Sequence, residues 1–174
     1  IARTYIAVAG NDGYVSVWGL GGLVNAPFVL SDVDLVFNGP VKLMESIIFK
    51  GKCFVSSNGH LIDVNNRSIT LEPGAGVTVS NTFLYGMGGN NNVVFLDNTS
   101  TITLISSSII NTQDFYLNGP LTIQGDVSIS GTCKFTYRTD RVSYIGDNST
   151  LLLDSGVTFS YDPPSGANNL IAFE

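Results

Sequence analysis

The sequence predicts an all-β fold, a parallel β-helix (β-solenoid) of about six coils. Three observations predict it: an 80-residue internal repeat, short alternating strands that open on Ser or Thr, and Gly- or Asn-bearing turns between them. The repeat is the strongest. Asp34-Leu35-Val36-Phe37-Asn38-Gly39-Pro40-Val41-Lys42-Leu43 is echoed by Asp114-Phe115-Tyr116-Leu117-Asn118-Gly119-Pro120-Leu121-Thr122-Ile123. The offset of 80 carries on through Ile47 and Val127, Phe49 and Ile129, Gly51 and Gly131, Cys53 and Cys133, and residues 76–80 and 156–160.

The strands come next. Ser68-Ile69-Thr70-Leu71, Ser100-Thr101-Ile102-Thr103-Leu104, Leu121-Thr122-Ile123 and Ser149-Thr150-Leu151 alternate polar and aliphatic residues. Period-2 alternation sends Thr and Ser outward and the aliphatics inward. Strands this short are not stable alone, but stacked coil on coil they bury their inner residues against the next layer. Anchored on Leu43, Leu71, Leu104, Ile123 and Leu151, the spacings predict three unequal coils of 28, 33 and 19 residues per repeat. The corners need residues that accept positive φ. Asn38-Gly39, Asn58-Gly59, Gly74, Gly76, Gly88-Gly89-Asn90, Asn118-Gly119 and Gly156 are the candidates.

Two domains of organisation follow. Residues 34–174 form the solenoid, with one repeat at 34–113 and an incomplete second at 114–174. Residues 1–33, with Trp18-Gly19-Leu20-Gly21-Gly22-Leu23, fit the pattern poorly and read as an irregular coil, a cap or an interface. The competing architecture is two tandem β-sandwich repeats, since Asn-Gly also makes hairpin turns. The sub-repeats favour coils.

The rhythm of Thr-Leu or Thr-Ile, then Gly, then Val-Thr-Val-Ser (77–80) or Val-Thr-Phe-Ser (157–160) resembles the right-handed parallel β-helix repeats of bacterial surface proteins. Autotransporter passengers and large adhesins carry such repeats; polysaccharide lyases and phage tailspikes are similar more loosely. The resemblance covers most of residues 34–174. It implies an architecture and a cell-surface setting, and it places no family's catalytic residues on this chain.

Composition narrows the function. Of 174 residues, 44% are hydrophobic and 13% charged, with a net charge of −6. A chain this acidic does not track nucleic acid. It has no apolar run of the ~18 residues that a spanning helix needs, so membrane insertion is not expected. Low charge with abundant Asn, Ser and Thr suggests an extracellular or cell-surface protein, whose leader is absent from this sequence. The reading is a non-enzymatic structural solenoid of a fibre, self-associating end to end or continuing in a longer chain. Glycans are the alternative partner, for an adhesin module or a polysaccharide-cleaving fragment.

Each candidate site has a structural counterpart. Tyr137, Arg138, Asp140, Arg141 and Tyr144 form the best polar-aromatic cluster for gripping a sugar or an anion; a solvated loop with a local ion pair is the commoner origin of such a cluster. A glycan-cleaving site needs paired carboxylates, but Asp32, Asp34 and Asp114 sit where turn-forming aspartates are common. Lys42, Lys50 and Lys52 make a small basic patch or guard a strand edge. His60 follows a turn. Asn90-Asn91-Asn92 and Asn168-Asn169 could stack as a ladder. Sequons stand at Asn66, Asn98 and Asn148. Cys53 and Cys133, as equivalents three coils apart, lie too far from each other for a disulfide; they read as buried thiols. With His60 alone they make no zinc site, and no cofactor or metal is expected.

Overall fold

The computed structural model describes residues 4–8, 15–17, 27–88, 93–164 and 171–173. They form twenty-two strands and, among the described residues, no helix. In chain order these are β1 (Thr4–Val8), β2 (Val15–Val17), β3 (Phe28–Ser31), β4 (Val33–Phe37), β5 (Val41–Leu43), β6 (Ile47–Lys50), β7 (Lys52–Ser56), β8 (Leu61–Asp63), β9 (Ile69–Leu71), β10 (Gly76–Ser80) and β11 (Phe83–Tyr85). There follow β12 (Val93–Phe95), β13 (Thr101–Ile105), β14 (Ser108–Asn111), β15 (Phe115–Leu117), β16 (Leu121–Gln124), β17 (Asp126–Gly131), β18 (Cys133–Tyr137), β19 (Ser143–Ile145), β20 (Thr150–Leu153), β21 (Val157–Tyr161) and β22 (Ile171–Phe173).

Every third strand joins the same sheet, and the pairings are parallel. The first face runs β1-β4-β7-β10-β13-β16-β19-β22 and the second β2-β5-β8-β11-β14-β17-β20. The third is split into β3-β6-β9-β12 and β15-β18-β21. This is a β-solenoid; six turns separate β4 from β22, with β1 one layer before β4. The tandem β-sandwich alternative is excluded by the parallel pairing, since sandwiches of that kind are antiparallel. Strands within residues 1–33 take part: β1 pairs with β4, β2 with β5 and β3 with β6. Trp18 to Leu23 lie outside the described residues, as do Asn90-Asn91-Asn92 and Asn168-Asn169.

The alternation works as the sequence predicts. On the first face Val77 and Val79, Ile102 and Leu104, and Leu121 and Ile123 are buried, while Thr78, Thr103 and Thr122 stand outward in one register column. Burying each aliphatic side chain contributes roughly 1.5–3 kcal/mol. The interior is one continuous apolar cluster from Leu30 to Ile145.

The repeat does not count whole turns. Asp34 lies in β4 on the first face, whereas its mate Asp114 stands directly before β15 on the third. Cys53 in β7 and Cys133 in β18 are displaced in the same way, as are β10 and β21. Equivalent strands are eleven apart, which at three per turn is three full turns and two faces. The expected three unequal coils are thereby corrected. Spacings read from Leu43, Leu71, Leu104, Ile123 and Leu151 mixed faces, because these residues fall in β5, β9, β13, β16 and β20. A short alternating strand carries the same pattern on any of the three faces. Cys53 and Cys133 are both buried, free thiols; burial pushes the Cys133 thiol up.

The corners also differ from expectation. Asn38, Gly39, Gly76, Asn118, Gly119 and Gly156 do not adopt positive φ. Three of these glycines serve close approach instead. A Cβ on Gly119 would strike the Phe95 ring, one on Gly156 the carbonyl of Gly131, and one on Gly76 would crowd the Lys52 ammonium at 2.8 Å. The left-handed positions are mainly elsewhere. Asn58 and Gly59 have φ of 51° and 80°. Asn81, Ser106 and Gly125 are left-handed in successive layers at the corner between the first two faces.

Candidate functional site

The polar-aromatic cluster expected around residues 137–144 does not assemble. Tyr137 points inward and is buried; its ring stacks on Tyr161, its hydroxyl meets Ser143 Oγ, and burial raises its pKa. Arg138 lies over the Tyr116 ring, 4.4 Å from the centroid, and pairs with Asp162 at 3.1 Å. Arg141 reaches two layers back to the carbonyls of Asn98 and Ser100 and covers the Phe95 ring. Asp140 is exposed, and Tyr144 stands outward on the first face. Tyr137 is therefore a core residue, and the two arginines act at separate places, Arg138 between adjacent layers and Arg141 across two.

Of the carboxylates, Asp32, Asp97 and Asp114 hold turns, whereas Asp34, expected at a turn, is buried within strand β4. Asp32 Oδ1 accepts the Lys52 N–H at 2.9 Å, and Asp114 Oδ1 accepts the Lys134 N–H at 2.8 Å. Asp97 accepts the Thr99 hydroxyl and the N–H groups of Ser100 and Gly74; these bonds, that from Thr99 foremost, hold its carboxyl far below the usual range. The lysines do not make one patch, because three faces separate them. Lys42 pairs with Asp63 on the second, Lys50 with Glu72 on the third, and Lys52 lies over Gly76 on the first. Asn98 and Asn148 are exposed, as is His60. Among the described residues no group of three His, Cys, Asp or Glu is placed to hold a metal ion.

One polar concavity is built from three successive layers, at the corner where the second face gives way to the third. Its lining includes Asp63, Asn65, Asn66, Tyr85, Asn111 and Gln113, around a volume of about 140 Å³. The chain forms it simply. After β8, Asn65 and Asn66 turn left-handed, at φ 53° and 55°. In the middle layer, after β11, Gly86 and Gly88 carry no side chain. A Cβ on Gly86 would come within 2.9 Å of Asp63 Oδ1, and one on Gly88 would strike Gln113. After β14, Asn111 turns inward and its Oδ1 accepts the Met87 N–H at 2.8 Å. Its Nδ2 is buried without an acceptor among the described residues. Asp63 is occupied by the Asn65 N–H at 2.8 Å and the Lys42 ammonium at 3.7 Å. Tyr85 remains 36% exposed.

Sequence reasoning did not find this cleft. Its residues come from three layers and share no local motif. The signal available was the pair of left-handed Asn65-Asn66 facing Gly86 one layer on, and that requires knowing the turn length. Comparison with protein-family models, curated proteins and solved structures returned no match. The class is therefore defined by the fold: a parallel β-solenoid.

Proposed function

We propose that the chain is a non-enzymatic structural β-solenoid of an extracellular or cell-surface fibre, whose subunits stack end to end. One observation carries the reading: every described sheet is parallel and grows by one strand per turn, so a further layer of the same kind can be added to it. Phe115, Phe135 and Phe159 form one register column on the third face. Phe115 and Phe135 are each 2% exposed, but Phe159 is 38% exposed. Leu151, Leu153 and Val157 are likewise only partly buried. Among the described residues β20 and β21 are the last strands of their sheets, where the next parallel layer would pair. The next parallel layer, supplied by a second copy or by continuation in a longer chain, would cover these apolar side chains. The contact is heterologous, so it propagates into an open filament. Low charge and abundant Asn, Ser and Thr support the extracellular setting. Negative-stain electron microscopy with sizing of the same sample tests the assembly. Long fibres of uniform width are the expected result; monodisperse single rods at every concentration overturn it.

A further inference from the structure

We infer that the corner cleft of Asp63, Asn65, Asn66, Tyr85, Asn111 and Gln113 is a binding subsite for one neutral sugar unit of a glycan. The inference is independent of end-to-end stacking, because the cleft lies on the side of the rod and Phe159 on its last layers.

Four features carry it. The first is capacity. At about 140 Å³ the cleft is smaller than the ~300–1,000 Å³ sites that enclose a whole small molecule. It suits one ring of a longer chain.

The second is hydrogen-bonding chemistry. Three of the lining groups are Asn and one is Gln. A carboxamide both donates and accepts, as a sugar hydroxyl does. Asn66 and Gln113 are exposed, in the first and third of the three layers, while Asn111 is 1% exposed and its Nδ2 has no acceptor among the described residues. A buried unsatisfied donor costs about 1–3 kcal/mol, which a ligand hydroxyl can recover.

The third feature is an aromatic approach. Phe83 and Tyr85 alternate on β11, so both stand on its outer side, at 42% and 36% exposure. Tyr85 lines the cleft and Phe83 extends the surface along the strand. An apolar ring ending in a hydroxyl matches a sugar, which has an apolar face and a polar rim.

Charge is the fourth. The single lining carboxylate, Asp63, already holds the Lys42 ammonium and a backbone N–H. No Arg or Lys lines the cleft. The nearest cation, Lys42, is already engaged by Asp63, so the cleft holds no free charge for a phosphate or uronate.

The test titrates the full chain with neutral malto-, cello-, xylo- and chito-oligosaccharides, with polygalacturonate and with Ca²⁺ alone, followed by NMR shifts and calorimetry. One neutral oligosaccharide is expected to bind in the micromolar to millimolar range. Tyr85→Ala and Gln113→Ala should each weaken it about tenfold or more. Tyr144→Ala, on the first face, should leave it unchanged. All three side chains are exposed, and circular dichroism checks that each variant folds. The inference is overturned if no neutral oligosaccharide binds at millimolar concentration. It is equally overturned if binding survives both cleft variants, or if polygalacturonate or Ca²⁺ is the species that occupies the cleft.

Discussion

At the scale of single residues, the glycines separate into two kinds, and substitution distinguishes them. Gly131 has φ of 101°, and a Cβ there would collide with the backbone carbonyl of Asn111, one layer away. Neither backbone can yield without breaking the ladder they share. Gly131→Ala should cost about 3 kcal/mol or more. Gly59 has φ of 80°, but the nearest atom to a new Cβ is Asn81 Oδ1 at 3.5 Å. Gly59→Ala should cost only about 1 kcal/mol, from the backbone alone. Equal urea midpoints for the two variants would contradict this. Asp97 gives a residue-scale pH dependence. Its folded pKa is depressed, chiefly by the Thr99 hydroxyl, so its contribution is present above the ordinary value of 3.8 and lost as pH falls through the folded value. The midpoint gap between the native chain and Asp97→Asn should narrow progressively below that value. A gap that stays constant down to about pH 2 counts against the assignment.

Elements meet at corners, and one corner is held by buried hydroxyls. Ser57, Thr82 and Ser107 follow one another in successive layers where the first face turns into the second, all nearly inaccessible. The Ser57 N–H donates to Thr82 Oγ1 at 3.0 Å, and the Thr82 N–H to Ser107 Oγ at 3.2 Å. Thr82 Oγ1 in turn donates to the Ser80 carbonyl at 2.8 Å, as Ser107 Oγ does to that of Ile105. The Thr82 and Ser107 hydroxyls thus each link two layers. Thr82→Val keeps the shape and strands the Ser57 N–H, so it should cost about 1–3 kcal/mol. Thr82→Ser keeps the acceptor and should cost less than the valine variant. Denaturant unfolding of the pair decides between this ladder and simple packing, under which valine would be the milder change. The strands were legible in the sequence because alternation reports directly on inside and outside. The corners were not. Ser106 adopts φ of 44° without the Gly or Asn that would announce it, and Asn38-Gly39, which does announce it, stays out of that region. Stacking layer on layer, a long-range contact, decides the corner conformation.

For the whole molecule, the same long-range order explains what could be read and what could not. The 80-residue repeat identifies a solenoid but advances eleven strands, so it carries each residue to a different face and conceals which side chains become neighbours. The cleft at Asp63, Asn65 and Gln113 appears only once the turn length is known, whereas the cluster around Tyr137 dissolves because that tyrosine obeys the inward alternation of β18. A solenoid of this kind has energetics close to one-dimensional: each layer depends chiefly on the layers next to it. Substitution at the end should therefore separate assembly from folding. Phe159, the last described residue of its column, is 38% exposed and contacts Phe135 edge-on at 5.5 Å between centroids. Phe159→Lys places a charge where the next subunit would bury it, at a cost that one docking contact does not offset. Within the single rod the lysine can extend to solvent along the half-exposed edge. Fibres should vanish from micrographs of the variant, and the midpoint for the Thr82 region should stay unchanged. Inner-column Phe135→Lys should instead unfold the layers around it. If Phe159→Lys still forms fibres of the native width, stacking does not use this end of the interior.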